Sequence, residues 1–475
     1  MRAVLQPSLR SLWAGVLVAG GGLVIGYAAL ALAHRAGDQT GALLLLALTI
    51  GPAAALAVLR SPKLGLGLVF ALSPVGSVDV GVPLPALHQT IGMPLVEVGV
   101  FAVAALIVIR RLGLSQTPLA WAPQLWWSLA LLAWTFVSLV FAEDQTLALK
   151  QIAVLVGGIL LASIVVSALR TMDDVRWLVG ALVTTGAVLS IVALSSGVHF
   201  ESEFSGESVS GRLTGAFQHP NQLGLFAALG VALATGLAFG ARRRLARWAA
   251  GLSAGLIVVP LLLSLSRGAW IGCALAFLYL LVALREARRV LIVAGLPLAF
   301  VAALVGSFSN STTDFQVIGQ RARAITTLSP YDNRTAIYTE AEHEIKTHPF
   351  VGVGPGNFPV ASTRAGSQTA TVYAEHAHDL WLTWAAEDGL PALAIILAFT
   401  VSLGRAARRA GRSASSSSRR DRAVIAGIVA ALVAVVGQGV FDYLLRNAVL
   451  FMFVWTLIGA LLVCAQQYAP ARARS

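Results

Sequence analysis

The chain repeats apolar runs that are too long and too numerous for a water-soluble core. A helix needs roughly 20 apolar residues to cross about 30 Å of hydrocarbon. Fourteen stretches fall in that class, near 11–33, 41–59, 64–80, 94–111, 123–142, 148–168, 174–195, 218–239, 246–265, 268–285, 289–307, 379–404, 423–441 and 446–466. The third is weak, and "SLSRGAW" divides the long run 248–284 into a hairpin of two spans, so twelve to fourteen spans are expected. Composition agrees, with 57% hydrophobic and 12% charged residues over 475 positions, about half the charged share of a soluble domain. The fold class expected is an all-α polytopic membrane protein. Cys273 and Cys464 lie inside apolar runs and offer neither a disulfide framework nor a zinc site. The opening "MRAVLQPSLRSLWAGVLVAGGG" resembles a signal peptide, but its apolar run of about 20 residues exceeds the usual h-region, and a retained first span is expected.

Orientation follows from the basic residues. With the N-terminus in the cytoplasm, alternation puts "ARRRLAR" (241–247), "REARR" (285–289) and "RAARRAGRSASSSSRRDR" (405–422) on the cytoplasmic side, with most of the 34 Lys and Arg. That asymmetry is the positive-inside pattern. The net charge of +12 is thus mainly topology, and no nucleic-acid partner is expected, since no basic and aromatic face is assembled. Residues 1–307 hold spans one to eleven with an outer loop at 196–217. Residues 308–378 form an extracytoplasmic loop domain, and 379–466 hold the last three spans around the Ser-rich basic loop 405–422. The tail 467–475 is cytoplasmic, as is the N-terminus. Inside the long loop, "RTAIYTEAEHEIKTH" (334–348) predicts an amphipathic helix with Ile337, Ala341 and Ile345 on one stripe. "HPFVGVGPGNFP" predicts a compact Gly/Pro turn region. No transporter-like internal repeat is visible.

Once the cytoplasmic arginines are set aside, Arg212, Arg267, Arg334, His376 and His378 remain, all at the outer membrane level although they come from separate segments. Snorkelling at a hairpin tip is the plain alternative for Arg267, and ordinary solvated loop residues for Arg212 and Arg334. In "HPNQLG" (219–224), Pro220 and Asn221 suit a helix start, which leaves the company of His219 and Asn221 at the membrane surface unexplained. "HAHD", with Glu375 and Asp379 nearby, is a weak metal pattern because histidines at i and i+2 share no helical face. No metal or cofactor is expected. "GVGPG" lacks the strand and the Lys-Ser/Thr of a phosphate loop. A histidine with the usual value near 6.5 can take a proton from an alcohol, and arginines can grip a diphosphate through paired N–H donors. Together these groups suit glycosyl transfer from a lipid-diphosphate sugar.

Four motifs in this order, "RLTGAFQHPNQLG", "LSLSRGAW", "HPFVGVGPGNF" and "HAHDLWLTWAAEDGLPA", resemble the O-antigen ligase and O-antigen polymerase superfamily. These are bacterial integral-membrane transferases of the GT-C type that use undecaprenyl-diphosphate-linked glycans. The resemblance covers roughly 205–405; the first 200 residues agree only in being spans. The ligase pattern is His, then Asn, Ser or Gln, nine residues, and Gly-x-x-Gly. Here His378 and Gly389 match, while Asp379 and Ala392 depart. The resemblance implies His378 as general base, His376 as its neighbour, and Arg212 and Arg267 on the diphosphate, with Arg334 a looser third; Asp379, which departs from the pattern, is expected to orient that imidazole or raise it electrostatically. It implies an inverting, metal-independent transfer at the outer face of the bacterial inner membrane, in contact with membrane lipids, to a lipid A-core sugar hydroxyl. Glycan polymerisation, or transfer to protein, is the alternative within the superfamily. A multi-span transporter or flippase is the alternative outside it. Transporters favour ionisable groups near the midplane, and Glu97 in "PLVEVGVF" is the clear carboxylate inside an early span. Asp388-Gly389 followed by Pro391 predicts a bend in its span or an outer half-helix.

Overall fold

The computed structural model describes residues 54–71, 73, 79–84, 89–110, 120–196, 212–285, 288, 334–364 and 374–468. The first span, most of the second, the eleventh, most of the outer loop 196–217, residues 308–333 and the tail beyond Tyr468 lie outside them. The helices are α1 Pro62–Ala71, α2 Leu95–Ile109, α3 Leu125–Leu139, α4 Gln145–Ala168, α5 Met172–Ser196, α6 Pro220–Gly240, α7 Arg244–Leu263, α8 Arg267–Ala283, α9 Arg334–Thr347, α10 Phe358–Ser362, α11 Leu380–Ser417, α12 Arg419–Gly439 and α13 Ala448–Gln467. Among the described residues, seven are long and apolar enough to cross a membrane: α4, α5, α6, α7, α11, α12 and α13. The apolar α2, α3 and α8 are shorter. All ten fall where spans are expected.

One region departs from an all-helical reading. The weak third span, expected over 64–80, is helical only to Ala71, just before Pro74, and a proline biases the preceding residue away from helical backbone. β1 (Asp79–Leu84) and β2 (Gln89–Pro94) then form an antiparallel hairpin, Asp79 opposite Pro94 and Leu84 opposite Gln89, running directly into α2.

Several helix starts carry their own capping groups, which satisfy backbone left without intrahelical partners. Asp144 Oδ1 accepts from Thr146 N at 2.8 Å, Asn447 Oδ1 from Leu450 N at 3.1 Å, and Ser266 Oγ from Ala269 N at 3.3 Å. Within the bundle α13 is innermost: Ala448 through Cys464 are all buried. Small residues let backbones meet, the usual device where lipid offers no hydrophobic incentive for association. A Cβ on Gly236 of α6 would lie 2.6 Å from Gly427 Cα of α12. Outward faces carry exposed Trp126, Phe141, Trp248 and Leu252, a composition suited to acyl chains.

The bend in α11 is real and has a partner. Gly389 sits at φ 82°, ψ 174° inside the helix, and a Cβ there would lie 2.0 Å from Phe350 O. The glycine loop fills the break. Val353 N donates to Ala386 O and Gly354 N to Glu387 O, both at 2.9 Å, while Leu390 N donates to Pro349 O at 2.8 Å. Trp134 Nε1 donates to Asp388 O at 2.8 Å. Non-helical backbone at membrane depth is tolerated only when protein satisfies it in this way. Above the break, Ile337 and Ala341 of α9 join Phe358, Ala374, Ala377 and Ala386 in a second apolar cluster, with Ile345 against it. The expected stripe of α9 is therefore its packing face.

Candidate active site

The helix polarities bring four chain turns to one end of the bundle: the approach to α6, the α7–α8 hairpin, the start of α11, and the α12–α13 turn with its 3-10 segment Leu444–Arg446. Their polar groups converge on Asp442, a residue of that last turn. Its Oδ1 lies 3.1 Å from His376 Nε2 and 3.1 Å from His378 Nδ1. Its Oδ2 accepts from Asn221 Nδ2 at 2.8 Å. Asn221 Oδ1 in turn accepts from Arg212 Nη2 at 2.6 Å, and Arg212 Nε donates to Ser264 O at 3.0 Å. An unbroken chain of hydrogen bonds thus runs from an arginine to two imidazoles.

Local backbone prepares this arrangement. Among the described residues, the non-glycine positions at positive φ are Leu265 (51°) and His378 (49°). Each immediately precedes a helix cap, Ser266 for α8 and Asp379 for α11. Such a conformation costs a bulky residue about 1–3 kcal/mol and tends to mark functional sites. At His378 it turns the ring back onto Asp442. With Nδ1 engaged there, Nε2 remains to face outward, and the side chain keeps 28% exposure. His376 is more enclosed, 12% exposed, with its ring centroid 4.4 Å from that of His378 and 5.8 Å from Tyr443.

Electrostatics follow from burial and pairing. Burial would raise the Asp442 carboxyl, but the hydrogen bonds from His376 and His378 win and hold it well below the usual carboxylate range. Burial pushes the His376 imidazole down against the pull of Asp442. His219 is pushed down to about 4, by desolvation first, with Arg212 adding to it and Asp442 opposing. Asp442 therefore stays ionised, and His219 neutral, at any ordinary pH. Three ligand-type atoms, one each from His376, His378 and Asp442, lie within 4.8 Å of one another, so a shared cation is the competing use of this geometry. The 3.1 Å contacts on one carboxylate oxygen suit ring N–H donors equally well.

The other expected residues sort as follows. Asp379 does not orient the His378 ring: its Oδ1 accepts from Trp381 N at 2.7 Å and Leu382 N at 2.9 Å, capping α11. The orienting contact belongs to Asp442. His219 is the cap of α6, its Nδ1 accepting from Asn221 N at 3.1 Å, which frees the Asn221 side chain to bridge. Arg267 opens α8 half-buried; a Cβ on its neighbour Gly268 would lie 3.1 Å from Phe441 Cβ, so Arg267 stands beside the Asp442 turn. Arg334 opens α9 on the same stripe as Ile337 and Ala341, the stripe that meets Ala374 and Ala377. Gly389 lies in the break of α11, about a turn and a half deeper than Thr383 by helical rise, and acts through backbone.

Sequence reasoning passed over Asp442, Tyr443 and Arg446. Arg446 Nη1 donates to Glu375 O, pinning the histidine loop, and Tyr443 OH accepts from Gln151 Nε2 at 3.2 Å. One signal was present in "GVFDYLLRNAV": an acid and an arginine in a short turn that alternation places on the same side as His378.

Fold and site together define an all-α polytopic membrane protein with a His–Asp–Asn–Arg cluster at one end of its bundle. Residues 252–397 match the family model described as O-Antigen ligase. The matched stretch holds Arg267, Arg334, the glycine loop and His378, and it supports an O-antigen ligase-like membrane enzyme. Arg212, Asn221 and Asp442 lie outside it. No curated protein matches the chain.

Proposed function

We propose that the chain transfers a glycan from undecaprenyl diphosphate to an acceptor hydroxyl at the outer face of the bacterial inner membrane, with His378 as general base. The observation that carries this reading is the shared Asp442: one carboxylate holds the His378 ring by Nδ1 and is tied through Asn221 to Arg212. Base and anion-binding cation are thereby positioned by one residue. In the reaction, His378 Nε2 takes the acceptor O–H proton and the freed oxygen attacks the anomeric carbon with inversion. The bond from that carbon to the diphosphate oxygen breaks, and the pair of electrons leaves with the diphosphate. Arg212 and Arg267 meet the charge that develops there, with Arg334 a further cation from the loop. Asp442 stabilises the imidazolium without accepting its proton, in the manner of a catalytic triad's acid. His376, hydrogen-bonded to the same oxygen, fixes that carboxylate from the other side. A lipid A-core sugar is the acceptor we favour, because the long outer loop and the histidine motif follow the ligase pattern.

The test is the surface polysaccharide of a host carrying His378→Ala at unchanged protein level. Long chains should accumulate on undecaprenyl diphosphate and disappear from the acceptor. Acceptors bearing a single repeat would instead mark a polymerase, and an unchanged ladder would remove His378 as the base. In the hydrogen-bonded reading a chelator leaves transfer unaltered; abolition that added divalent cation restores would assign His376, His378 and Asp442 to a metal.

A further inference from the structure

At the end of the bundle opposite the histidines, α11 continues past its apolar window as a helix to Ser417. From Leu390, just after the break, Arg405 lies about 23 Å along the axis and Arg412 about 33 Å, from the helical rise of 1.5 Å per residue. A bilayer's hydrocarbon is about 30 Å thick, so these arginines emerge at headgroup level. Arg405, Arg408, Arg409 and Arg412 are spaced i, i+3, i+4, i+7 and all four are exposed, which places them on one face. The opposite face carries Ala406, Ala407, Ala410 and Ala414, all buried against the bundle.

Nothing in the protein neutralises this face among the described residues. The acids near this end are already engaged. Asp174 pairs with Lys63, Asp173 with Arg176 at 2.6 Å and Arg242 at 3.1 Å, and Asp421 with Arg176. Exposed Arg243, Arg244 and Arg247 at the foot of α7 extend the positive surface.

We infer that the Arg405–Arg412 face is a binding site for the phosphate headgroups of anionic phospholipids in the leaflet where α11 leaves the membrane. Guanidinium groups match phosphate through paired N–H donors. A helix leaving the bilayer holds them at the depth where lipid phosphates lie, and each such cation near a surface adds about a fivefold preference for anionic lipid. A soluble polyanion would not need the face to be set at that depth.

The experiment uses the full chain, extracted with its surrounding lipid into polymer discs from membranes of mixed phosphatidylglycerol and phosphatidylethanolamine. The wild type should be enriched in phosphatidylglycerol relative to bulk, and 0.5 M NaCl should reduce the enrichment. The quadruple variant R405Q/R408Q/R409Q/R412Q should lose most of it, at least fivefold in relative retention. The quadruple Arg→Lys variant, which keeps the charge, should keep the greater part. Disc composition equal to bulk for the wild type overturns the inference, as does full enrichment in the Gln variant. Displacement of phosphatidylglycerol by short RNA at equal charge would assign the face to a nucleic acid and also overturn it. Should the Gln variant fail to fold, the salt dependence of the wild type and single Arg409→Gln and Arg412→Gln variants decide the matter.

Discussion

At the histidine end of the bundle one buried carboxylate holds two imidazoles and an amide; at the arginine end the acids meet lysine and arginine, and the remaining arginines face outward. Asp442 alone takes hydrogen bonds from His376, His378 and Asn221, and it is 5% exposed. The opposite end sets its acids against lysine and arginine side chains, with Arg176 shared by Asp173 and Asp421. Lys63–Asp174 joins α1 to α5, Arg176–Asp421 joins α5 to α12, and Tyr468 OH donates to Asp421 Oδ2 at 2.6 Å. The first arrangement concentrates charge where a carboxylate is held well below its ordinary value by its donors, so it stays ionised beside both rings. The second fastens helices and leaves no acid with two imidazoles to hold. Charge count does not distinguish the ends; the kind of partner does. Mutations at one end should therefore act on turnover, and at the other on stability.

The largest effect is expected from Asp442→Asn. The amide can still touch both rings, but it cannot stabilise an imidazolium, so transfer should fall about 100- to 10,000-fold at a temperature where the variant is still folded, with part of the stability supplied by the ionised carboxylate lost as well. Initial rates with a lipid-diphosphate glycan check this, and retention of even a third of the wild-type rate would break the contrast between the ends.

Next comes Gly389→Ala. A methyl group would sit 2.0 Å from Phe350 O at a backbone conformation only glycine adopts comfortably. Loop and half-helix cannot both stay in place, and a loss of several kcal/mol is expected. Limited proteolysis within the glycine loop, or a lowered thermal midpoint in detergent, would report it. A variant as stable as wild type would mean the loop does not lock the break.

How far these features could be read from sequence depends on their range. Ten described helices lie within a few residues of the apolar runs, because span formation is a local property of length and hydrophobicity. The hairpin 79–94 escaped because "DVGVPL" and "QTIGMP" each hold a glycine and a proline, which weaken a strand pattern. His378, Arg212 and Arg267 were visible because a polar group beside an apolar run is conspicuous by itself. Asp442 was not, since an acid in a short turn has no local signature and acquires a role only from partners 64 and 221 residues away. Asp379 shows the converse: its neighbourhood to His378 in sequence suggested a contact, yet two backbone N–H groups claimed its oxygen first.

A smaller, pH-dependent difference comes from His219. Its folded value of about 4 lies below the ordinary 6.5, so the unfolded chain binds the extra proton first. Stability should therefore fall as pH drops from about 6.5 towards 4, and be fully present above that window. Asp442 has the same sign and a lower window: its contribution holds above the ordinary carboxylate value and is lost only as pH falls through its depressed folded value. His219→Asn replaces the capping ring nitrogen with an amide oxygen that does not titrate, so its midpoint should depend less on pH between 6.5 and 4. Parallel curves for the two proteins would remove His219 from the acid response.

The smallest effect, and the sharpest test of the contrast, belongs to the arginine end. Arg176 and Asp421 are 10% and 15% exposed, between the surface pairs worth at most about 1 kcal/mol and buried pairs whose breakage costs more. Arg176 also donates to Gly240 O at 3.3 Å, and Asp421 accepts from Tyr468, so each single variant removes more than the pair. Only the cycle Arg176→Gln, Asp421→Asn and both together isolates the coupling, expected at about 1 kcal/mol in the unfolding midpoint. Transfer rate should be unchanged in all three, since no hydrogen bond in the Asp442 network reaches this end. A rate that fell in step with the coupling would mean the two ends communicate through α12, the helix with Asp421 near its start and Asp442 just past its end, and the division between a fastening end and a reacting end would no longer hold.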